Sequence, residues 1–351
     1  MKINNISAII LFFMFLLSCE HKETDPKSHF KHTFNIKAKK LNIDTYKLNS
    51  FGRMIPFEDH QCIIKENYLG QSLLDKIYYT KDSLQSFAEL GEGPDENIMP
   101  RLMQKKDKSS VNIFDLQKKQ IITKDLSKNI SDITKLKCMP LSIIQTKYGY
   151  IVSGLLDKNE NDNNRYAILN NEGEFIKSFG DFPKDGNESG IKSKALAYQG
   201  WMVYNPLLDR FASVTSSGAI FELYQISATP NLIKSYHDIY PIYINDSSPG
   251  INSIKHGQEN VIGYTDIYAT DKYIYTLYSG KKLAQHNNEG MMNAMLSNNI
   301  LIYNWNGECV CRLFFDKKLF NICITDNNKE LIAIGWEKDF CLYSFDLSKV
   351  L

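Results

Sequence analysis

Cys19 is the residue with the clearest chemistry in the sequence. It follows an apolar run from Ile6 to Leu17, which is preceded by Lys2 and closed by Ser18. A membrane-spanning helix needs about 20 apolar residues, whereas a shorter run that ends at a small residue is typical of a cleaved signal peptide. The sequence therefore predicts a lipoprotein signal over residues 1–18 and acylation of Cys19. The alternative is a secreted protein in which Cys19 is unmodified.

The chain turns polar directly after Cys19, from Glu20 to Lys31, and such a composition is typical of a flexible tether. We expect residues 19–32 to be a lipidated tether. Each buried CH2 of an acyl chain contributes roughly 0.8 kcal/mol to membrane binding, so several acyl chains, palmitate among them, would hold the protein firmly. These features predict a cell-envelope protein that is anchored to the outer membrane, on its periplasmic side or at the cell surface.

Three common catalytic motifs are absent from the sequence. It contains no G-x-S-x-G nucleophile elbow, no P-loop and no H-E-x-x-H zinc motif. The loop from Asp157 to Asn163 has alternating oxygen side chains, but Asp162 stands where a calcium loop needs glycine and Ile168 where it needs glutamate. We interpret this loop as a hairpin tip, and we expect no cofactor, metal ion or catalytic residue.

Five residues are candidates for lining a central channel, because they stand near the starts of predicted repeat units: Arg53, Asp209, Arg210, Tyr264 and Asp266. Buried polar groups are normally hydrogen-bonded. The favoured interpretation is therefore that these charges pair with one another or with backbone groups around the channel. The tyrosine-rich segment 236–243 leaves a similar choice between packing of the fold and stacking on a sugar, and packing is favoured.

The charge of the chain is nearly balanced, with 41 basic and 40 acidic residues. Nucleic acids demand clustered Lys and Arg, whereas the groups 105–108 and 118–119 are short and interrupted, so we interpret them as solvated loops. A hydrophobic content of 43% and an aromatic content of 12% are sufficient for a large core. The composition thus favours a globular domain that does not bind nucleic acid.

The cysteines after Cys19 show no disulfide framework in their spacing. An oxidising envelope permits disulfides, but a chain of this length does not need them. We interpret most of these cysteines as small buried apolar residues, and their disulfide state stays open. The residues concerned are Cys62, Cys138, Cys309, Cys311, Cys323 and Cys341.

Short apolar runs separated by Asn, Asp, Gly and Lys dominate the chain, from 61–66 to 340–345. Each run has the length of a β-strand, its separators are turn residues, and helical periodicity is hard to find. Such a series predicts an all-β sandwich, barrel or propeller.

Internal repeats favour the propeller. The segments 166–177 and 300–311 carry Asn, Gly and Glu at the same offsets, and 215–219 is a looser third copy. A second pair of similar segments is 112–116 and 343–347, in which an aromatic residue precedes an aspartate that can cap a turn. Repetition of one supersecondary unit points to radial or linear stacking.

The strands group into six units, at 53–90, 95–135, 140–180, 195–236, 260–314 and 319–347. About 310 residues shared among six units give roughly 52 per unit, which is close to the ~40–50 residues of a propeller repeat. The last unit has three clear strands, and we expect the segment 34–43 to supply its fourth. The prediction is therefore a six-bladed β-propeller of four-stranded antiparallel blades over residues 33–351, and deletion of residues 32–44 should destabilise it.

Three segments carry a family resemblance: the turn GEGPDE at 91–96, the segment 264–281 and the segment 300–313. Together with the lipoprotein signal that ends at Cys19, these segments resemble the TolB-like six-bladed β-propeller lipoproteins of Gram-negative bacteria. The resemblance extends over nearly the whole mature chain. The resemblance implies glycine and proline at blade junctions and specifies architecture rather than chemistry. The sequence departs from it at Asn97 and Ile98, where a short acidic or aromatic continuation is expected.

Two classes of function stay open. The favoured one is a membrane-anchored binding or scaffold module that presents a propeller face to a protein, a peptide or a glycan. The other is a metal-dependent propeller hydrolase or lyase with its site in the central channel. We expect a monomer that contacts the membrane only through its N-terminal lipid.

Overall fold

The computed structural model describes residues 23–43, 48, 50–58, 62–67, 72–93, 96–128, 130–156, 163–245, 253–285 and 290–350. Cys19 and most of the loop 157–163 lie outside these ranges, so the acylation and the hairpin tip stay predictions. Within these ranges no helix is long and apolar enough to cross a membrane.

The N-terminal segment lies on the fold rather than extending from it. It forms a 3-10 turn (Pro26–His29) and two strands, β1 (Thr33–Ile36) and β2 (Lys39–Lys40). Phe30 is buried against Tyr303, and His29 Nε2 lies 2.7 Å from Asp238 Oδ1. Part of the segment that the sequence assigns to the tether is therefore packed.

Four antiparallel sheets of four strands each follow along the chain. The first contains β3 (Met54–Phe57), β4 (Cys62–Glu66), β5 (Ser72–Tyr78) and β6 (Ser83–Glu89), and the second contains β7 (Pro100–Lys105), β8 (Ser110–Asp115), β9 (Gln120–Asp125) and β10 (Ile130–Lys135). The third contains β11 (Met139–Thr146), β12 (Gly149–Leu155), β13 (Asn164–Leu169) and β14 (Phe175–Asp181), and the fourth contains β15 (Gly200–Asn205), β16 (Arg210–Thr215), β17 (Ala219–Gln225) and β18 (Asn231–Ile239).

The C-terminal part of the chain forms one sheet of eight strands. Its members are β1, β2, β21 (Val261–Ala269), β22 (Tyr273–Lys282), β23 (Ser297–Asn304), β24 (Cys309–Ile324), β25 (Glu330–Trp336) and β26 (Phe340–Asp346). Strand β24 pairs mainly through its first half with β23 and through its second half with β25. Strand β2 lies at one edge of the sheet, where it pairs antiparallel to β26. Strand β1 pairs parallel to residues 312–315 in the first half of β24, so this part of the segment 34–43 does not pair within the last predicted unit.

Three smaller elements complete the described chain. Strands β19 (Tyr243–Asn245) and β20 (Ile254–His256) form a two-stranded sheet. Two short helices, α1 (Ile191–Ala197) and α2 (Met291–Met295), connect strands. The sequence did not predict either helix, because a helix of one or two turns is too short to show a clear 3.6-residue period.

The first strand of each four-stranded sheet contacts the first strand of the next. The contacts run from β3 to β7, β11, β15 and β21, and both β21 and β3 contact β24. Six hydrogen bonds accompany these strand contacts. They run from Leu102 N to Glu66 Oε2 (3.0 Å), Gln145 N to Gln104 Oε1 (3.0 Å), Ser142 Oγ to Gly200 O (2.6 Å), Asn205 Nδ2 to Asp271 O (3.0 Å), Ile322 N to Asp266 Oδ2 (2.9 Å) and Gly52 N to Asn321 Oδ1 (2.9 Å).

Buried apolar side chains fill the spaces between neighbouring sheets. One cluster joins Ile64 and Leu74 of the first sheet to Ile113 of the second. Clusters of the same kind join the second sheet to the third, the third to the fourth, the fourth to the eight-stranded sheet, and that sheet to the first. Since both faces of these strands are covered, their side chains are buried in long runs rather than alternately.

The repeated hairpins of the sequence are matching turns in the structure. Asn170 Oδ1 accepts hydrogen bonds from the backbone N–H groups of Glu172 and Glu174, and Asn304 Oδ1 accepts the equivalent pair. Gly173 and Gly307 both have a φ of 79°, a conformation that glycine adopts without steric cost. The first turn joins β13 to β14 and the second joins β23 to β24, whereas the looser copy at 215–219 joins β16 to β17.

Candidate functional site

Two cavities lie between the first strands of the sheets, at opposite ends of these strands. We call the one at the carboxyl ends of β7, β11, β15 and β21 the lysine cavity; it has a volume of about 410 Å³ and is lined by Lys105, Lys106 and Lys147. We call the one at the amino ends of β7, β11 and β15 the tryptophan cavity; it has a volume of about 200 Å³ and is lined by Trp201. Arg53 lines both cavities.

The lysine cavity carries an excess of positive charge. Arg53 and the three lysines line it, and no carboxylate is among the described residues that do so. Lys147 pairs with Asp209 at its rim, and Lys105 Nζ lies 3.7 Å from a carboxylate oxygen of the exposed Asp326. Lys106 donates instead to the neutral side chain of Gln145, at 2.9 Å.

Few of the N–H donors of the Arg53 guanidinium are satisfied by the described part of the protein. Arg53 immediately precedes β3 and is half-buried. Within the described part of the chain, the one hydrogen bond of its side chain runs from Nη2 to Met202 O at 3.5 Å, which is long for an N–H to oxygen bond. Because a guanidinium has five N–H donors, Arg53 presents donors to the two cavities.

Asp266 lies in β21 and is 1% exposed. Its Oδ2 accepts hydrogen bonds from Ile322 N at 2.9 Å and from Asn321 Nδ2 at 3.2 Å. Burial raises the pKa of Asp266 to about 6, and the positive charge of Arg53 limits this rise. Of the five channel candidates, Arg53 and Asp266 are thus the two that interact.

The other three candidates lie elsewhere. Tyr264 is fully buried in the core, with its hydroxyl 3.5 Å from that of Tyr303. Asp209 lies at the rim of the lysine cavity and accepts from Tyr204 Oη at 2.7 Å. Arg210 points to the eight-stranded sheet, where it donates to Asn306 Oδ1 at 2.7 Å. None of these three is among the described residues that line the two cavities.

The tryptophan cavity contains a paired charge. Arg101 Nη1 donates to Glu66 Oε1 at 2.7 Å, and Leu102 N donates to the other oxygen of the same carboxylate. The indole Nε1 of Trp201 is buried and has no hydrogen-bond partner among the described residues. The tryptophan cavity is therefore more nearly neutral than the lysine cavity, and the indole N–H of Trp201 is available there in addition to the donors of Arg53.

The lysines were missed as site residues because the sequence places Lys105 and Lys106 in a charge run. The end of β7 turns this run into the wall of a cavity, and Lys147 joins it from the turn after β11. A usable signal is present in the sequence, since lysines stand at the end of β7 and directly after β11, which are the first strands of neighbouring sheets.

The cysteines add no cross-link that the described residues reveal. Cys62, Cys309, Cys311, Cys323 and Cys341 have free thiols, and Cys62, Cys311, Cys323 and Cys341 are buried. Burial raises the pKa of the Cys311 thiol to about 11, which disfavours its reactive thiolate form. Within the described ranges, no group of three His, Cys, Asp or Glu residues could hold a metal ion.

Four-stranded antiparallel sheets whose first strands surround an axial pair of cavities define an all-β propeller. The chain belongs to the TolB-like 6-blade propeller-like family, whose model matches residues 30–327. The turn at 91–96, which carries part of this resemblance, joins the first sheet to the second. Lys118 Nζ donates to two carbonyl oxygens of this turn, Gly93 O (2.9 Å) and Glu96 O (2.7 Å).

Solved structures are similar in fold. A Bacteroides fragilis protein that is named as an exported protein has 10% identity and a TM-score of 0.55, with 93% of this chain and 97% of that chain covered. The Cps50 (Swd1) β-propeller domain of Myceliophteria thermophila has 9% identity and a TM-score of 0.44, with 87% and 99% covered. U3-55K has 7% identity and a TM-score of 0.44, with 88% and 98% covered. No curated protein matches the chain.

Proposed function

We propose that the chain is a six-bladed propeller closed by its own N-terminal strand, in which the eight-stranded sheet provides two blades. The support is that Tyr275 and Leu277 from one half of this sheet pack in one cluster with Leu331 and Tyr343 from the other half. Six hydrogen bonds accompany the contacts between first strands around the axis, and β2 pairs with β26 at the sheet margin. Deletion of residues 32–44 is expected to destabilise the whole domain in urea unfolding, and unchanged stability would contradict closure.

We propose that this propeller is an exported, lipid-anchored binding module of the cell envelope that presents the lysine cavity to its partner. The observation that carries the proposal is a positively charged cavity whose rim also exposes apolar side chains. Leu207 is 73% exposed and Leu208 is 43% exposed in the turn after β15, and Tyr148 is 40% exposed in the turn after β11. Exposed apolar residues beside a concave polar site are typical of an interaction surface.

The docking of the N-terminal segment supports an orientation in which the lysine cavity faces away from the membrane. Thr24 N donates to Asp238 O at 3.0 Å. Strand pairing places Asp238 at the same end of the fourth sheet as Ile220, Thr215 and Gly200, which is the end at the tryptophan cavity. The lysine cavity lies at the opposite end. An anchor at Cys19 would therefore leave the lysine cavity facing away from the membrane.

The anchor has its own test. Labelled palmitate is expected to appear in the wild-type protein and not in the Cys19→Ser variant, which should leave the membrane fraction. Lack of labelling in the wild type would show that Cys19 is unmodified.

The binding face is tested with a photoreactive phenylalanine analogue in place of Tyr148, at the lysine-cavity rim. The matched control places it at Lys192, an exposed residue of α1 near the other end of the fold. Illumination of intact cells should give a defined adduct from position 148 and not from position 192. An adduct from position 192 alone, or none from either, would overturn the proposed face. Stoichiometric calcium or zinc in the purified protein would instead favour a metal-dependent enzyme.

A further inference from the structure

We propose that the lysine cavity binds a small ring-containing molecule through a single carboxylate, and that Arg53 is the residue that contacts this carboxylate. The inference rests on the proposed function, since it names the ligand chemistry of the same face. It is carried by the charge of the cavity, by the donors of Arg53 and by the apolar wall.

The charges of the cavity leave a small positive excess. Asp209 offsets Lys147, Asp326 lies close to Lys105, and the buried carboxylate of Asp266 offsets part of the charge of Arg53. Among the described residues, the amide of Gln145 is the one partner of the exposed Lys106 side chain. An excess of about one charge suits a monoanion. A polyanion would need more unpaired cations than the cavity has.

Arg53 has the geometry for a carboxylate. The planar guanidinium offers parallel N–H donors that match the two oxygens of a carboxylate. Its long bond to Met202 O uses one donor, so a bidentate pair is available without breaking a strong contact. A half-buried position also strengthens the ion pair relative to one in bulk water.

Part of the cavity wall is apolar, although Gln104, Gln145 and Thr146 also line it. Ile55, Ile144, Val203 and Ala269 line it together with the ring of Tyr204. Its volume of about 410 Å³ lies within the ~300–1,000 Å³ of ordinary ligand pockets. A ring of six atoms can contact this wall while its carboxylate reaches Arg53.

The experiment is isothermal titration calorimetry of the purified domain with two probes, benzoate and glucuronate, which share a ring and one carboxylate. Benzamide and glucose are their uncharged counterparts, and inorganic phosphate tests another anion. We expect at least one carboxylate probe to bind with a Kd on the order of 1 mM, and its uncharged counterpart to bind at least tenfold more weakly.

Three variants localise the site. Arg53→Met should weaken binding of the carboxylate at least tenfold, and Lys106→Gln about threefold, with the Lys106 effect lost at high salt. Lys282→Gln is the matched control, because Lys282 is an exposed lysine that pairs with Glu259 outside the cavity, and it should bind as the wild type does. Thermal melts of each variant confirm folding.

Three results would overturn the inference: no saturable binding of either carboxylate, equal affinity for the uncharged counterparts, or unchanged affinity in folded Arg53→Met. Tighter binding of phosphate that depends on Arg53 would replace the carboxylate with a phosphate. None of these results removes a crosslinked adduct at position 148, so failure of the ligand assignment is distinguishable from failure of the proposed face.

Discussion

Arg165 lies between the third and fourth sheets and is 4% exposed, while Arg53 lies half-buried between the two axial cavities. Arg165 donates to Glu222 Oε2 at 3.0 Å and to Tyr198 O at 2.9 Å. Arg53 has the one long bond to Met202 O. Arg165 thus makes two strong contacts with the protein, although its buried Nε has no hydrogen-bond partner among the described residues, whereas the contact of Arg53 is long and weak.

Glu222 shows what full use of a buried charge requires. It is 2% exposed and accepts from Tyr166 Oη at 2.8 Å as well as from Arg165, and His237 Nε2 lies 3.0 Å from its other oxygen. A buried ion pair that is hydrogen-bonded in this way fixes the packing of two sheets. The contrast teaches that Arg165 has a structural role, whereas Arg53 retains the capacity to bind a ligand.

The largest expected effect is on stability at the structural site. Arg165→Met leaves the carboxylate of Glu222 buried without its cation, which should lower the free energy of unfolding by about 3–5 kcal/mol. Urea unfolding followed by tryptophan fluorescence measures this. Arg53→Met is the control, and an equal loss in both variants would break the comparison.

A smaller effect is expected when both partners change. Arg165→Met combined with Glu222→Gln removes both charges, so the double variant should be about 1–3 kcal/mol more stable than the sum of the two single losses predicts. A double-mutant cycle in urea gives this coupling energy. Strict additivity would show that Arg165 and Glu222 do not act as a pair.

The pH dependence of stability gives a further test of the structural role of the Arg165–Glu222 pair. Burial alone would raise the pKa of Glu222, but the charge of Arg165 and the hydrogen bonds from His237 and Tyr166 outweigh it, so the pKa lies below 4.5. The stabilisation from Glu222 is therefore present above the pKa of the unfolded chain and is lost as the pH falls through the folded value. Urea midpoints should fall below about pH 4.5 more steeply in the wild type than in Glu222→Gln, and parallel profiles would contradict this.

The smallest effect is expected from Arg53→Met itself, with less than about 1 kcal/mol of stability lost. Removal of this positive charge should raise the pKa of Asp266 above its value of about 6, so that Asp266 takes up a proton instead of remaining an unpaired charge. A pKa above the unfolded value means that stability falls as the pH rises from about 4 through 6. Carbon-13 NMR of the Asp266 carboxyl reports the shift, and a lowered pKa would contradict the prediction.

Local features of the fold were predictable from the sequence because they depend on residues that are close together in it. The hairpins at Asn170 and Asn304 need an asparagine, a glycine and flanking apolar runs within about ten residues. The candidate site was predictable only in part. Arg53 and Asp266 stood out as charges near strand starts, but their relation, and the meeting of Lys106 with Lys147, depends on how separate sheets are arranged around the axis.

The docked N-terminal segment determines how the fold would bear tension. A pull on residue 23 would first load the bonds from Thr24 and His29 to Asp238. Beyond them, β1 runs parallel to β24 over four residue pairs, so a force along this strand would shear its hydrogen bonds together instead of unzipping them one at a time. The segment would thus act as a mechanical clamp between any anchor and the ring of sheets.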